Sequence, residues 1–167
     1  MNRFMRLLRH LVSSPRRLRR RFTPEVLHDV QRAITTLERE HAGEIRFVVE
    51  HALHPAQLWS GLTARLRALE VFGLLRVWDT EANNGILVYV LYADRAVEIL
   101  ADRGIAQRVS QEEWEGLCRE VETEFAGGQF RAGSLRAIEG AATLLRRHFP
   151  TVVSKVSNEL PDQPVLL

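Results

Sequence analysis

The feature that most constrains the fold is an apolar run, ILVYVLY, at residues 86–92. Its residues do not alternate between apolar and polar types, so both faces of the strand that they form require cover from other elements. The run therefore predicts the central strand of a sheet. Asn83-Asn84-Gly85 comes directly before it and is a turn signal.

Two further runs predict the strands beside the central one. Residues 44–50, EIRFVVE, alternate as a half-buried strand does, and residues 96–101, AVEILA, follow the central run after a short break. The short break predicts a β-hairpin between the second and third strands. A helix separates the first strand from the second, which predicts parallel neighbours joined by a right-handed crossover.

Helical patterns occupy most of the remaining chain. Thr23-Pro24 has the residues of an N-cap and a first helical position, and Ser110 begins a capping box. Five apolar residues at helical spacing predict one helix before the central strand: Leu58, Leu62, Leu66, Leu69 and Phe72. A last helix is predicted from Phe130 to Phe149. The element order predicts an α/β fold, a small mixed sheet with a β-hairpin and helices packed on it.

Charge divides the chain into a basic N-terminal segment and an acidic remainder. Residues 1–21 hold eight arginines and no acidic residue, whereas the rest holds 15 Lys and Arg against 21 Asp and Glu. We therefore predict three parts, a basic amphipathic arm at 1–22, a domain at 23–150 and a C-terminal tail at 151–167 that is extended or partly disordered. The asymmetry indicates that the arm is the part that contacts phosphate-rich surfaces.

The arm begins with a segment, 2–12, whose polar and apolar residues separate completely when it is drawn as a helix. A basic amphipathic helix of this kind is typical of segments that lie in a membrane interface. The predicted membrane-binding residues are Arg3, Phe4, Arg6, Leu8, Arg9, Leu11, Arg16, Arg17, Arg19, Arg20 and Arg21. The predicted partner is an anionic membrane surface or a membrane protein.

Two other interpretations of the arm stay open at the level of sequence. Its apolar side could pack on the domain or on a second copy of the chain, as amphipathic helices usually do. Its arginines could also contact nucleic acid. The acidic remainder of the chain and the clean apolar face favour a lipid surface over nucleic acid, which we do not expect as a partner.

The compartment predicted from composition is the cytoplasm, with a peripheral position at the inner membrane face. Cys118 is the single cysteine, so an intrachain disulfide cannot form. No run of 18 apolar residues is present, and Arg6 and Arg9 interrupt the segment that a signal peptide would need to keep apolar.

No standard catalytic signature is present, but polar residues collect around the predicted strand ends. Several carboxylates and amides at one edge of a sheet form an environment suited to Ca²⁺ or Mg²⁺, and an arginine beside them could hold a phosphate. The alternative is that these residues only form turns. His51 and His54 are too few for a typical zinc site. The strand-end residues are Asp79, Glu81, Asn83, Asn84, Asp94, Arg95, Glu98 and Asp102.

Residues 77–104, VWDTEANNGILVYVLYADRAVEILADRG, resemble the core motif of TPM domains. The matching features are a tryptophan in the first loop, Asn-Gly before an apolar strand, Asp-Arg after it, and a second strand ending near Gly. They correspond here to Trp78, Asn84-Gly85, the 86–92 run, Asp94-Arg95 and Gly104. FAGGQFRAG at 125–133 is similar to the linker that follows the penultimate helix of the family.

The resemblance is strongest to short bacterial TPM proteins without membrane spans, and it implies a three-layer α/β/α sandwich. The family includes a plant thylakoid-lumen protein described as an acid phosphatase, and other members that bind calcium. It implies a cleft with Asp94 and Arg95 as catalytic residues of a metal-assisted phosphatase, and with Ca²⁺ or Mg²⁺ as cofactor. The implied metal-ligating residues are Asp79, Asn84, Asp94 and Asp102. The other functional class is a non-catalytic or cation-binding interaction module at the membrane.

Overall fold

The computed structural model describes residues 3–148 and 158–167. Residues 149–157, which contain the predicted domain boundary at Pro150, lie outside the described residues. The helices are α1 (Arg3–Val12), α2 (Pro15–Arg21), α3 (Pro24–Leu37), α4 (Pro55–Trp59), α5 (Ala64–Leu74), α6 (Arg103–Ala106), α7 (Gln111–Ala126) and α8 (Phe130–His148). The strands are β1 (Glu44–Glu50), β2 (Gly85–Leu91), β3 (Ala96–Ala101) and β4 (Val165–Leu166).

The sheet has the order β3-β2-β1-β4, which places the apolar run of β2 in its interior as predicted. Strands β1 and β2 are parallel, and β2 and β3 form the predicted antiparallel hairpin. All seven residues of β2 are buried. Their burial confirms the prediction that β2 lacks alternating polar residues because other elements pack on both faces of the sheet.

Two separate apolar clusters cover the two faces, so the described residues form an α/β/α sandwich. One cluster joins alternate sheet residues such as Phe47 and Val88 to α3, α7 and α8. The other joins the intervening residues, including Val48 and Leu87, to α4, α5 and Leu160. Alternate side chains of one strand point to opposite faces, which is why neighbouring residues belong to different clusters.

The single helix predicted over the leucine stripe is wrong, because the structure has two helices there. Gly61 adopts a positive φ of 83°, and Thr63 begins α5 by accepting a hydrogen bond from the Leu66 backbone N–H. The restart changes which side of the second helix faces inward. Ala68 and Val71 are buried, whereas Leu66 and Leu69 are half exposed.

The sequence also missed three short elements. The basic run after Pro15 forms helix α2, with Leu18 buried in the core together with Phe22. Asp102 begins the short helix α6. The tail adds β4 parallel to β1, where the Leu167 N–H donates a 2.9 Å hydrogen bond to the Val49 carbonyl. Two-residue strands and four-residue helices have no periodicity that a sequence pattern can detect.

No helix within residues 3–148 and 158–167 has the length and apolar character needed to cross a membrane.

A buried polar cluster lies between the sheet and α5. The Tyr89 hydroxyl donates a 2.6 Å hydrogen bond to Glu50 Oε2, which also accepts a 2.8 Å hydrogen bond from Arg67 Nε. Burial, followed by the contact with Glu50, raises the pKa of Tyr89 far above its usual value. The Tyr89 hydroxyl therefore keeps its proton near neutral pH and donates it to Glu50 Oε2.

We expect Tyr89→Phe to lower the free energy of unfolding by about 1.5–3 kcal/mol, the usual contribution of a buried hydrogen bond to a charged group. Tyr92→Phe is the control, because Tyr92 is only partly buried and packs through its ring against Phe22 and Phe130. Urea denaturation measures both variants. Equal destabilisation by the two substitutions would show that the Glu50 contact contributes nothing beyond the volume of the hydroxyl.

Candidate functional site

The residues that carry the family resemblance divide between the two ends of β2. Asn84 and Asp102 lie at the start of β2 and the end of β3, where the Asp102 N–H donates to the Gly85 carbonyl. Asp94 and Arg95 form the turn at the other end of the hairpin. Seven strand residues separate the two ends by about 20 Å.

The polar residues at the Asn84 end hold the backbone together. The Asn84 side-chain amide donates to the Ala42 carbonyl, and the Asp102 carboxylate caps α6 by accepting a 2.7 Å hydrogen bond from the Arg103 N–H. The glycines allow close approach. A Cβ at Gly85 would lie 1.9 Å from the Val77 carbonyl oxygen. The Asn84 amide nitrogen and Asp102 Oδ1 therefore bind the backbone, whereas Asn84 Oδ1 and Asp102 Oδ2 are buried without a hydrogen-bond partner among the described residues.

The structure does not bring the four predicted metal-ligating residues together. Asp79 is exposed on the loop before β2, Asn84 and Asp102 have the backbone partners described above, and Asp94 is at the opposite end of the sheet. Among the described residues, no group of three or more His, Cys, Asp or Glu side chains is placed to hold a metal ion. The length of β2 keeps Asp94 apart from Asn84 and Asp102, which the hairpin places at the same end of the sheet.

Asp94 is instead the docking point of helix α1. Arg6 reaches Asp94 Oδ2 with both Nε and a terminal nitrogen at 2.8 Å, and its other terminal nitrogen donates to the Leu62 carbonyl at 2.7 Å. His10 Nε2 lies 3.0 Å from Asp94 Oδ1. The three side chains are largely buried, so water screens their attraction weakly.

The far side of the His10 ring is also held by the body. The Leu53 N–H donates a 3.0 Å hydrogen bond to His10 Nδ1, which leaves Nε2 to carry the proton that faces Asp94. Burial alone would raise the pKa of the Asp94 carboxyl, but contacts with His10 and Arg6 outweigh burial and lower it. Asp94 is therefore a carboxylate with two cationic or proton-donating partners, both supplied by α1.

Docking through Arg6 and His10 turns the apolar face of α1 outward. Within α1 only His10 is buried, while Arg6 and Leu7 are partly covered. The exposed apolar residues of the helix are Phe4 at 63%, Met5 at 58%, Leu8 at 39%, Leu11 at 59% and Val12 at 66%. This arrangement is the reverse of an ordinary surface helix, which buries its apolar face.

Trp59 extends the outward apolar surface. It is 82% exposed at the end of α4 and lines a 420 Å³ groove between α4 and α1, with Leu58, Leu7, Phe4 and Arg3. We use the name outward face for this surface, which consists of Phe4, Met5, Leu8, Leu11, Val12 and Trp59.

A second surface beside α1 is a cleft of about 470 Å³ that carries four arginines. We call it the arginine cleft. Arg9, Arg17 and Arg21 come from α1 and α2, and Arg95 comes from the β2–β3 turn. Its other lining residues are Val12, Ser13, Tyr92, Ala93, Gly128 and Phe130. Among residues 3–148 and 158–167 no carboxylate lines it, so the cleft attracts anions.

The two histidines that could have suggested zinc have separate roles. His51 Nε2 lies 2.9 Å from Ser13 Oγ, and burial, together with the nearby His10, lowers the pKa of His51. His54 accepts a hydrogen bond from the Ala56 N–H and begins α4. His51 therefore holds the connection between α1 and α2 against the body, and His54 caps the start of α4.

Comparisons with known proteins agree with this architecture. The sequence matches the model of the TPM domain over residues 19–144, well over half of its length. The chain belongs to the TPM domain family. The structure is also similar to the NMR structure of the BA42 protein from the psychrophilic bacterium Bizionia argentinensis, with a TM-score of 0.74 and 29% sequence identity over 87% of this chain and 94% of that chain. No curated protein matches the sequence.

The outward face and the Asp94-Arg95 turn differ in their position relative to the range matched by the TPM model. Helix α1 and the start of α2 precede residue 19, where the match begins, whereas Asp94 and Arg95 lie inside it. The outward face is therefore built mainly by residues before the matched range.

The sequence identified Asp94 as a site residue but missed His10 as its partner, although Arg6 and His10 are four residues apart on one side of a helix.

We expect Asp94→Asn to weaken the docking of α1 without unfolding the body. Arg6 and His10 would lose the charge that holds them, and the free energy of opening α1 should fall by about 1.5–3 kcal/mol. Hydrogen exchange of the amides of residues 3–12 measures this opening. Asp29→Asn is the control, because Asp29 pairs with Arg131 on the exposed surface. Equal protection of α1 in the two variants would contradict the role given to Asp94.

The same contacts predict that acid releases α1. Because the pKa of folded Asp94 lies below its usual value of 3.8, its contribution to docking is complete above that pH and is lost as the pH falls through the lower folded value. The difference in α1 protection between the native protein and Asp94→Asn should therefore be constant near neutrality and shrink below pH 3.8. A difference that persists unchanged in strong acid would show that the Asp94 carboxylate does not hold the helix.

Proposed function

We propose that this TPM-domain protein is a peripheral module that binds anionic membrane surfaces through α1 and α2. The observation that carries the proposal is the orientation of α1, which docks by its polar side and leaves its apolar side exposed. A water-exposed row of large apolar residues is unfavourable unless another surface covers it. The body then serves as a non-catalytic interaction domain held at the membrane.

Charge indicates which kind of surface covers the outward face. Five arginines of α2 are exposed, and α1 adds Arg3 and Arg9. An arginine near an anionic bilayer contributes about 1 kcal/mol, so this set attracts the chain to anionic headgroups before the apolar residues insert. The exposed α2 residues are Arg16, Arg17, Arg19, Arg20 and Arg21.

The exposure of Trp59 favours a membrane, rather than a second copy of the chain, as the surface that covers the outward face. An indole ring is favoured at the boundary between headgroups and acyl chains, because its large ring is apolar and its N–H is polar. Trp59 stands beside Phe4 in the groove between α1 and α4, on the side from which α1 would enter the interface. A second copy would have to bring another arginine-rich surface against this one, which like-charge repulsion disfavours.

The proposed location follows from the same surface. Anionic lipids and arginine-rich segments meet at the cytoplasmic leaflet, where the surface potential is negative. We therefore propose the cytoplasmic face of the inner membrane as the site of action.

Divalent cation binding and metal-assisted phosphatase activity at Asp94 stay predictions from the family resemblance. Both would require Asp94 to release Arg6 and His10 first.

We expect Leu8→Ser/Leu11→Ser to reduce binding to vesicles of phosphatidylcholine and phosphatidylglycerol by more than tenfold. Burial of two leucines contributes about 1.5–3 kcal/mol each, part of which is realised in an interface. Flotation measures binding, and a blue shift of the tryptophan emission that Trp59→Phe removes reports insertion. The matched control is Leu66→Ser/Leu69→Ser, because these leucines are as exposed but lie on α5.

Two results would overturn the proposed function. One is absence of vesicle binding by the native protein, and the other is equal loss in the two double variants. A concentration-dependent dimer in solution that Leu8→Ser/Leu11→Ser abolishes, without vesicle binding by the native protein, would assign the outward face to a second copy of the chain.

A further inference from the structure

The arginine cleft holds more positive charge than the chain itself neutralises. Arg9, Arg17, Arg21 and Arg95 line one concavity, and none of them takes part in an ion pair among the described residues. By contrast, Arg6, Arg67 and Arg131 each pair with a carboxylate. Four guanidinium groups around one space repel one another, so the arrangement is stabilised when an anion enters.

Backbone and aromatic contacts hold the arginines at the cleft without neutralising them. A terminal nitrogen of Arg95 donates to the Ala126 carbonyl at 3.3 Å, and one of Arg9 donates to the Asp94 carbonyl at 3.4 Å. The Arg21 guanidinium lies 5.7 Å from the centre of the Phe130 ring. Carbonyl and ring partners leave other N–H groups of each guanidinium available to a ligand.

Arg95 also has a strained backbone. Its φ is 53°, in the left-handed region that residues other than glycine rarely adopt. Arg76 and Asn83 adopt the same region in their own turns, so the conformation of Arg95 belongs to the β2–β3 turn that positions its side chain at the cleft. Here it occurs in the turn that carries Asp94, so the residue that docks α1 and the residue that completes the cleft are adjacent.

We propose that the arginine cleft binds the phosphomonoester headgroup of an anionic lipid. A phosphomonoester carries close to two negative charges near neutrality and presents three acceptor oxygens, which suit several guanidinium forks. A phosphodiester headgroup carries one charge and has fewer free oxygens. The cleft therefore favours a doubly charged phosphate group over the single charge of phosphatidylglycerol.

The position of the cleft beside the outward face favours a lipid headgroup over a free phosphate as its ligand. Val12 belongs both to the outward face and to the cleft lining, so the cleft opens beside the surface proposed to enter the interface. A headgroup at that depth would meet the four arginines while Leu8 and Leu11 contact the acyl boundary. The inference rests on the proposed function, and it adds the headgroup that the membrane surface must carry.

The test compares two vesicle compositions of equal surface charge, one with phosphatidic acid and one with phosphatidylglycerol. Arg17→Gln/Arg21→Gln removes two cleft arginines, and Arg16→Gln/Arg20→Gln removes two exposed arginines of α2 at the same spacing outside the cleft. On phosphatidylglycerol both variants should lose affinity equally. On phosphatidic acid we expect the cleft variant to lose at least tenfold more than its control.

Arg95→Gln provides an independent variant, because Arg95 lies in the body and far along the chain from the arm. It should lower binding to phosphatidic acid severalfold and leave binding to phosphatidylglycerol nearly unchanged. Circular dichroism confirms that each variant is folded. If Arg17→Gln/Arg21→Gln and Arg16→Gln/Arg20→Gln lose equal affinity for both lipids, the proposed headgroup site is overturned. Membrane binding through the charge of α2 would still stand. Failure of the native protein to bind either vesicle would overturn the proposed function itself.

Calorimetric titration of glycerol 3-phosphate distinguishes the two sources of the same chemical group. We expect only weak, millimolar binding, because a free phosphate gains nothing from the outward face. Micromolar binding that Arg17→Gln/Arg21→Gln abolishes would assign the cleft to a soluble phosphomonoester and overturn the choice of lipid.

Discussion

The contact of Asp94 with Arg6 and His10 decides how the N-terminal helix is used. A helix with one apolar and one polar side would ordinarily bury the apolar side. Here a largely buried carboxylate on the body pairs with the polar side, since two nitrogens of Arg6 reach Asp94 Oδ2 at 2.8 Å and His10 Nε2 lies 3.0 Å from Asp94 Oδ1. The apolar side is left facing water, and residues of the helix held in this orientation contribute to both the outward face and the arginine cleft.

The two surfaces are coupled through one turn of the sheet. Asp94 orients α1, and the next residue, Arg95, completes the arginine cleft with Arg9, Arg17 and Arg21. Arg9 and Val12 of α1 line the cleft, so the cleft described here includes α1 in its docked position. The pairing of Asp94 with Arg6 and His10 occupies the carboxylate that the family resemblance implies for metal chemistry, so helix docking and a metal ion at Asp94 compete for the same oxygens.

The other end of the motif has a structural purpose that explains why its residue types matter. Gly85 and Gly104 stand where a Cβ would collide with neighbouring backbone, and Asn84 and Asp102 bond to backbone groups. These residues set where β2 and β3 begin and end. By doing so they fix the register of the hairpin, and the register places Asp94 opposite the helix that it holds.

The sequence by itself determined the regular elements and their roles in the fold. The unbroken apolar run predicted the interior strand, the spacing of residues 44–50 and 96–101 predicted its neighbours, and the separation of faces in α1 predicted a helix. These features are local, because a helix or strand repeats within a few residues. Short elements such as α2, α6 and β4 were missed because they are too brief to repeat.

Only the tertiary structure decided which side of α1 faces outward and which motif residues share a site. Arg6 and Asp94 are 88 positions apart, and no local pattern links them. Asn84 and Asp94 are close in sequence, yet a strand keeps them apart, while Asn84 and Asp102 lie at the same end of the hairpin because the chain folds back. Sequence distance does not measure spatial distance once strands pair, and that is the physical reason why the predicted metal site divided while an unpredicted arginine cleft formed.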